Sequence, residues 1–520
     1  MKLIVLFILL LSGGLALGQP LYLTDYGVIT NDSTKADTNG VVLKYVISIA
    51  NGRVIQLPAD TVFIDSININ NTNGVRIHGP GVLAFRDSIK TNWNNHLMKF
   101  RNCADIELRN FNIDCQMGSG QKITHGPGGP DTTLNGYRNA VVPLYFEGGD
   151  TFGENDRVTI SHVNFYDSWW IGFGGEQRHG GDYEHVADTV ARDVEILYCT
   201  WPKVPKRGPA ENLGNKAITS AGLIDRIRIE GCDYNGAVDD TIYGNGFYLL
   251  PAIVNFTIIN NTSRNSYDSD YYSLGFNGLI AGNLSVDAGK DSYKNITLID
   301  AVLKEIPNWP GVGSVEYRNN IARGSGRVVA GSPVGFNIDG ELNVIDGNRY
   351  EAQDTTGYLA KQGQIAIRIN SSNNVVTNNV LFGRNDELPG LPATIAILVT
   401  DDIVAEASDR GNSNIIKDNV ISGWKDGILI QYDSPNPLIT DNVITNIDAT
   451  AISDYAQNNG RLLISNNTYF DVENVYYETN PAGVDTLLRV HTTILDAVKL
   501  DLSPVFVVPD TLIDSLNVRL

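Results

Sequence analysis

The chain is short of cationic and metal-ligating groups: 39 Lys and Arg face 59 Asp and Glu, with seven His and four Cys in 520 residues. A formal charge of −20 excludes nucleic acid and anionic membrane as partners, because nothing offsets phosphate repulsion. An anionic polysaccharide stays admissible where local Lys and Arg, or a bridging cation, hold it. Long apolar runs are also missing, except at the start. Met1-Lys2, the run Leu3 to Leu11 and the small residues ending Ala16-Leu17-Gly18 before Gln19-Pro20 read as a secretory signal peptide over 1–18, too short and Gly-rich for a membrane span. No lipobox-type Cys stands near the cleavage point. The mature chain is therefore expected outside the cytoplasm, secreted, periplasmic or at the cell surface, with no membrane span.

What is present is a repeat. Asn414-Ile415-Ile416-Lys417-Asp418-Asn419-Val420-Ile421 is answered 23 residues later by Pro437-Leu438-Ile439-Thr440-Asp441-Asn442-Val443-Ile444, and Asn442 is answered 25 after that by Asn467 in Arg461-Leu462-Leu463-Ile464-Ser465-Asn466-Asn467. A unit of this length is too short for two helices. Its runs are strand-like, as in Gly427-Ile428-Leu429-Ile430-Gln431, and each must stack on its neighbours to bury an apolar face. The fold is read as all-β, a parallel β-solenoid with one coil per repeat, and a solenoid escapes the size ceiling of a single core.

Stacking would line up Asn348, Asn379, Asn419, Asn442 and Asn467 as an amide ladder. The same slot holds Phe111, Val163, Cys199 and Cys232 in earlier coils. Cys199 and Cys232 then lie about 4.8 Å apart, one strand spacing, as a disulfide or as two stacked buried thiols. Coil strands are placed near Ile106, Val158, Val194, Ile227, Phe256, Ile296, Val315, Leu342, Val375, Ile415, Leu438 and Leu463. Ahead of them, residues 19–64 form a cap and first strand: Val42, Tyr45, Val46 and Ile49 fall at helical spacing and Asn51-Gly52 stops the helix. Residues 65–471 are the solenoid, with loop insertions at 116–152, 172–188, 202–214, 265–272 and 401–412; residues 472–520 are a last coil and C-terminal cap.

Asp25-Tyr26-Gly27-Val28, Asp37-Thr38, the helix, Gly52, Val54-Ile55-Gln56-Leu57-Pro58 and Thr61-Val62-Phe63 resemble the start of pectate-lyase-superfamily (pectin-lyase-like) proteins. That resemblance implies a right-handed, single-stranded parallel β-helix, as in polygalacturonases, polysaccharide lyases and phage tailspikes. With the repeats it spans nearly the whole chain, and it speaks for fold rather than for one reaction.

Four strands are expected to form one row: Trp169 to Phe173, Lys216 to Thr219, Thr241 to Gly244 and Tyr271 to Leu274, a groove for a glycan chain. Asp239 and Asp240 stand before the third strand, Asp268 and Asp270 before the fourth, and paired carboxylates suit acid and base work on a glycosidic bond. Asp239-Asp240-Thr241-Ile242 is similar to the Asp-Asp-Cys-Ile of polygalacturonases, with Thr241 in the Cys place; Asn215-Lys216-Ala217 departs from that family's Asn-Thr-Asp, and Gly-His-Gly and Arg-Ile-Lys are missing. A lyase would use Lys216 as base and Tyr243 as acid, with calcium held by Asp239, Asp240, Asp268 or Asp270. Substrate contacts are expected from Trp169, Trp170, Glu176, Arg178, His179, Lys203, Lys206 and Arg207. The expected function is a secreted polysaccharide lyase or glycosidase, a monomer rather than a trimer; the alternative is a non-catalytic glycan-binding adhesin or tailspike-like protein.

Overall fold

The computed structural model describes residues 18–86, 95–115, 141–149, 153–166, 170–174, 189–202, 217–236, 246–266, 268–295, 312–325, 333–352, 364–384, 394–400, 414–431, 437–455, 461–478, 486–490 and 493–494. These fall into two compact units, the first holding the described residues up to Thr257 and the second those from Ile258 on. Each is a right-handed parallel β-helix, and one helix of 15 residues, α1 (Ala36–Ala50), stands near the N-terminus.

Each coil contributes a strand to each of three parallel sheets. In the first unit, Ala104–Arg109, Asn112–Asp114 and Val141–Glu147 make one coil, and Asn155–Ser161, Asn164–Tyr166 and Ile171–Gly174 make the next. First-sheet register runs Ile106↔Val158↔Val194↔Ile227, as the repeat spacing predicts. In the second unit it runs Val344↔Val375↔Ile415↔Leu438↔Leu463. Leu342, expected in a strand, sits 62% exposed at φ 59° just before the strand Val344–Asp346. Val315 pairs with Gly278, on a coil between Phe256 and Val315 that repeat spacing missed; Ile296 lies outside the described residues.

The corner between the first two sheets is one residue in the left-handed region followed by one pointing inward. Asn378, Asp418, Asp441 and Asn466 take φ of 53 to 57°, which Asn and Asp tolerate best among residues with a Cβ. Behind them Asn348, Asn379, Asn419, Asn442 and Asn467 are wholly buried. Each of the first four donates its backbone N–H and its Nδ2 to the Oδ1 of the next at 2.9 to 3.1 Å. The ladder also includes Asn261, Asn283 and Asn320. A second, shorter ladder links Asn343, Asn374 and Asn414.

In the first unit the same corner is Asn110, His162, Tyr198 and Gly231 at φ 54 to 64°, and Phe111, Val163, Cys199 and Cys232 fill the inward slot. All four cysteines are free and buried, so the stacked-thiol alternative is the one observed. Burial and the neighbouring Cys199 push the Cys232 thiol well up, which makes it inert rather than nucleophilic. Aromatic rings stack at the coil repeat, Phe100, Phe146 and Phe173 at 5.0 and 4.9 Å in the first unit and Tyr271, Tyr293 and Phe336 at 4.8 and 4.7 Å in the second.

Helix α1 differs from expectation in its face. Leu43, Val46, Ile47 and Ala50 are buried, whereas Tyr45 is 56% exposed. The face is set by Asn39, whose buried amide bonds both backbone groups of Ile29 and the carbonyl of Phe63, tying helix, N-terminal segment and the strand Thr61–Ile64 together. Beyond Asp471 one more coil is present, Leu463 pairing with Leu488 and Thr468 with Thr493.

Candidate functional site

The third sheet of the first unit carries the densest chemistry among the described residues. Its strand Asn95–Arg101 alternates, so Met98 and Phe100 point into the core and Lys99 and Arg101 out. The next strand, Val141–Glu147, lies inside the segment read as a 116–152 loop, and its register sets Tyr145 beside Lys99 and Glu147 beside Arg101. The third, Ile171–Gly174, falls on the strand expected over Trp169 to Phe173 and runs two residues into the loop expected from 172; it sets Gly172 beside Tyr145 and Gly174 beside Glu147. Thr219 and Tyr248 continue the first row.

Lys99 Nζ is 2.8 Å from Glu147 Oε1, and the Arg101 guanidinium pairs with the other carboxylate oxygen. Lys99 also stands over the Tyr145 ring, 5.6 Å from its centroid, while His96 packs against the same ring at 4.4 Å. A Cβ on Gly172 would lie 2.7 Å from the Tyr145 ring and 3.4 Å from Trp170; glycine is what lets the tyrosine lie flat there. Buried Asn155 fixes the strand end by donating to the Glu147 carbonyl at 2.9 Å.

Burial, then the Lys99 and Arg101 charges, hold His96 down at about 3, so it is neutral throughout the ordinary range. Burial, then Arg101, push Lys99 down to about 8. The cluster therefore joins a lysine poised to titrate just above neutrality, a permanent cation, one carboxylate and two aromatic surfaces.

Of the residues expected from sequence, Trp170 is half-buried beside this cluster. Trp169, Glu176, Arg178, His179, Lys203, Lys206, Arg207, Lys216, Asp239, Asp240 and Tyr243 lie outside the described residues. The strand paired with Ile218 and Thr219 begins at Phe247, with Ile218↔Phe247 and Thr219↔Tyr248, rather than at Thr241. Asp268 is half-buried in the second unit. Asp270 is a correction: it is sealed inside the second unit, accepting from the hydroxyls of Ser263 and Ser285, and faces no groove. Its filled, serine-lined surroundings do not fit the calcium ligation considered for it. Among the described residues no group of three or more His, Cys, Asp or Glu could hold a metal.

Burial raises Asp270 to about 6, against the serine hydrogen bonds that lower it. With the folded value above the unfolded one, its carboxyl costs nothing below pH 4. As pH rises from 4 to 6 the unfolded state loses the proton first, and stability falls by about 3 kcal/mol in all. Asp270→Asn is expected to flatten that limb, measured as urea midpoints at pH 4, 5 and 7.

No protein-family model and no curated protein matches the chain. Among solved structures it is similar to the bacteriophage Phi29 gene product 12 N-terminal fragment, at 15% identity and a TM-score of 0.57 over 88% of this chain and 71% of that one. Weaker likenesses include an E. coli bacteriophage HK620 tailspike mutant in complex with a hexasaccharide, at 11% identity and TM-score 0.37 over 92% of this chain and 66% of that one. The Streptococcus pneumoniae surface protein and adhesin PfbA matches at 11% identity and TM-score 0.34, over 92% of this chain and 100% of its own. What the chain shares with the Phi29 fragment is the fold.

Proposed function

We propose that this is an exported enzyme that holds a polysaccharide on the third-sheet face of the first unit and cleaves it as a lyase or glycosidase. The observation that carries the reading is the outward cluster of Lys99, Arg101, Tyr145 and Glu147 on consecutive strands, flanked by His96 and Trp170. Parallel strands repeat about every 4.8 Å, so the row from Lys99 to Tyr248 covers roughly 19 Å, the length of a few sugar rings. Two cations in an acidic chain suit a uronate carboxylate, and Tyr145 and Trp170 offer flat faces to sugar C–H groups.

The expected substrate-binding groups Glu176, Arg178 and His179 follow Gly174 in sequence, and the expected catalytic groups adjoin the same strands, Lys216 preceding Ala217 and Asp239, Asp240 and Tyr243 preceding Gly246. In the lyase form Lys216 takes the proton alpha to the carboxylate, the Lys99 and Arg101 charges stabilise the resulting anion, and Tyr243 protonates the leaving oxygen. In the hydrolase form Asp239 and Asp240 serve as acid and base. One observation favours binding without cleavage: Glu147 is the sole carboxylate of the two outward rows among the described residues, and both cations engage it. That is the reading of a glycan-binding adhesin.

Incubation of the mature protein with uronic-acid and neutral polysaccharides, with calcium or EDTA, separates these. Absorbance in the unsaturated-uronate band rising with new reducing ends is the lyase result, and reducing ends alone are the hydrolase result. Retained binding with neither signal identifies an adhesin, and no binding to any glycan overturns the proposal.

A further inference from the structure

The second unit has its own row on the outward face of its third sheet. Tyr271, Tyr293, Phe336 and Ile367 stack inward, sealed from solvent. Alternation therefore turns Tyr272, Lys294, Asn337 and Arg368, which pair in the same ladders, to the opposite side. Asp339 and Asn370 follow at the ends of two of these strands. The row is recessed but not closed: Tyr272, Lys294, Asn337 and Asn370 keep 7, 9, 8 and 8% of their surface.

The hydrogen bonds along the row stop one short. Lys294 Nζ lies over the Tyr272 ring at 4.4 Å and 3.9 Å from Asp291 Oδ2, too far for a good hydrogen bond. Asp291 accepts from the Val334 N–H at 3.1 Å and from Asn337 Nδ2 at 3.3 Å. Asn370 Nδ2 donates to Asn337 Oδ1 at 3.3 Å and to Asp339 Oδ1 at 2.5 Å. Asn370 Oδ1 then has no donor among the described residues, though the residue is 92% buried. A buried acceptor left unmet costs about 1–3 kcal/mol, a cost that a bound donor would remove.

The geometry points to a second glycan subsite here, one that takes a neutral sugar residue. Lys294 and Arg368 are balanced by Asp291 and Asp339, so the row offers no net charge to an anion. Sugar hydroxyls donate and accept at once, so along a sugar chain one hydroxyl can give its proton to Asn370 Oδ1 while another, two strands away, accepts from the Lys294 ammonium. Beyond Arg368 the row becomes Leu398 and Leu429, packed with Val334, Ile365 and Ile395, an apolar wall against which a sugar C–H face loses no hydrogen bonds. The competing account is a polar network that only ties coils together, and it predicts no ligand.

The test is isothermal titration of the full mature protein with cellohexaose, xylohexaose, laminarihexaose and maltohexaose, and with hexagalacturonate as the acidic probe. We expect at least one neutral hexaose to bind, and its affinity to fall at least tenfold in Asn370→Leu and in Lys294→Met while Asp418→Asn, at an exposed corner of the same unit, leaves it unchanged. Should Asn370→Leu fail to fold, Lys294→Gln takes its place, with Lys294→Arg expected to retain binding. Hexagalacturonate should lose affinity in Lys99→Met and keep it in Lys294→Met, so loss of the first-unit site and loss of this one are told apart. No neutral hexaose bound by the wild-type protein, or an effect under twofold in Lys294→Met and Lys294→Gln, overturns the assignment.

Discussion

Asn419→Ala should cost about 4 kcal/mol or more of stability, because one side chain closes five hydrogen bonds, four of them buried. Its Nδ2 donates to the carbonyls of Val376 and Lys417 and to Asn442 Oδ1, and its Oδ1 accepts from the N–H and the Nδ2 of Asn379. Alanine takes the acceptor from the buried Asn379 N–H and a donor from the Val376 and Lys417 carbonyls and from Asn442 Oδ1, and a buried group left unmet costs about 1–3 kcal/mol. The adjacent Asp418 is the control. It is exposed at φ 56° and makes only a 3.7 Å pair with Lys417, so Asp418→Asn should change stability by less than about 0.5 kcal/mol. Asn419→Asp keeps the acceptor but loses the donors, and should fall between them at low pH and near the alanine variant at neutral pH, where it buries a charge. Urea unfolding with amide exchange checks both. Protection should be lost first in the coils holding Val376 and Asn442, since a coil contacts only its neighbours. Loss of less than 1 kcal/mol in Asn419→Ala would remove the ladder from among the main supports of the fold.

The ladder was legible because its signal is local. Lys417-Asp418-Asn419 and Ser465-Asn466-Asn467 write a left-handed corner and an inward amide into adjacent letters. Where the inward residue is Phe111, Val163 or Cys199, the preceding Asn110, His162 or Tyr198 still takes the left-handed corner. Face and register away from that corner are set by tertiary contacts. The face of α1 depends on Asn39 reaching Ile29 and Phe63, which no helical spacing records. The strand Val141–Glu147 was hidden because Pro143 and the Gly-rich stretch before it read as loop, although Val142, Leu144 and Phe146 alternate toward the core. Tyr145 and Glu147 were lost to the site with it. Asp270 misled in the opposite way: a carboxylate between polar residues reads as surface, and only the stacking of Ser263 and Ser285 in register turns it inward.

Lys99→Met should weaken binding of an acidic glycan about thirtyfold at pH 7, since a charge-assisted hydrogen bond at a half-buried site is worth about 2 kcal/mol. Methionine keeps the length of the stem over the Tyr145 ring, and Arg101 still holds Glu147, so the effect reads out charge rather than collapse of the site. The pH profile makes the assignment specific. Lys99 sits at about 8 because burial and Arg101 disfavour its charged form, so wild-type affinity should fall between pH 7 and 9, well before an ordinary lysine titrates. Lys99→Arg should hold its affinity across that range, and Lys99→Met should be weak and flat. No step near pH 6 should come from His96, already neutral there with a value of about 3. Stability must move the other way. A lysine whose folded value is lowered penalises folding fully below pH 8, and the penalty is relieved as pH rises from 8 toward 10.5, because the unfolded chain holds more protons in that window. Wild-type protein should thus lose glycan affinity above pH 8 while gaining stability from this group. That opposition separates deprotonation of Lys99 from unfolding, and a parallel decline of affinity and stability would assign the loss to unfolding.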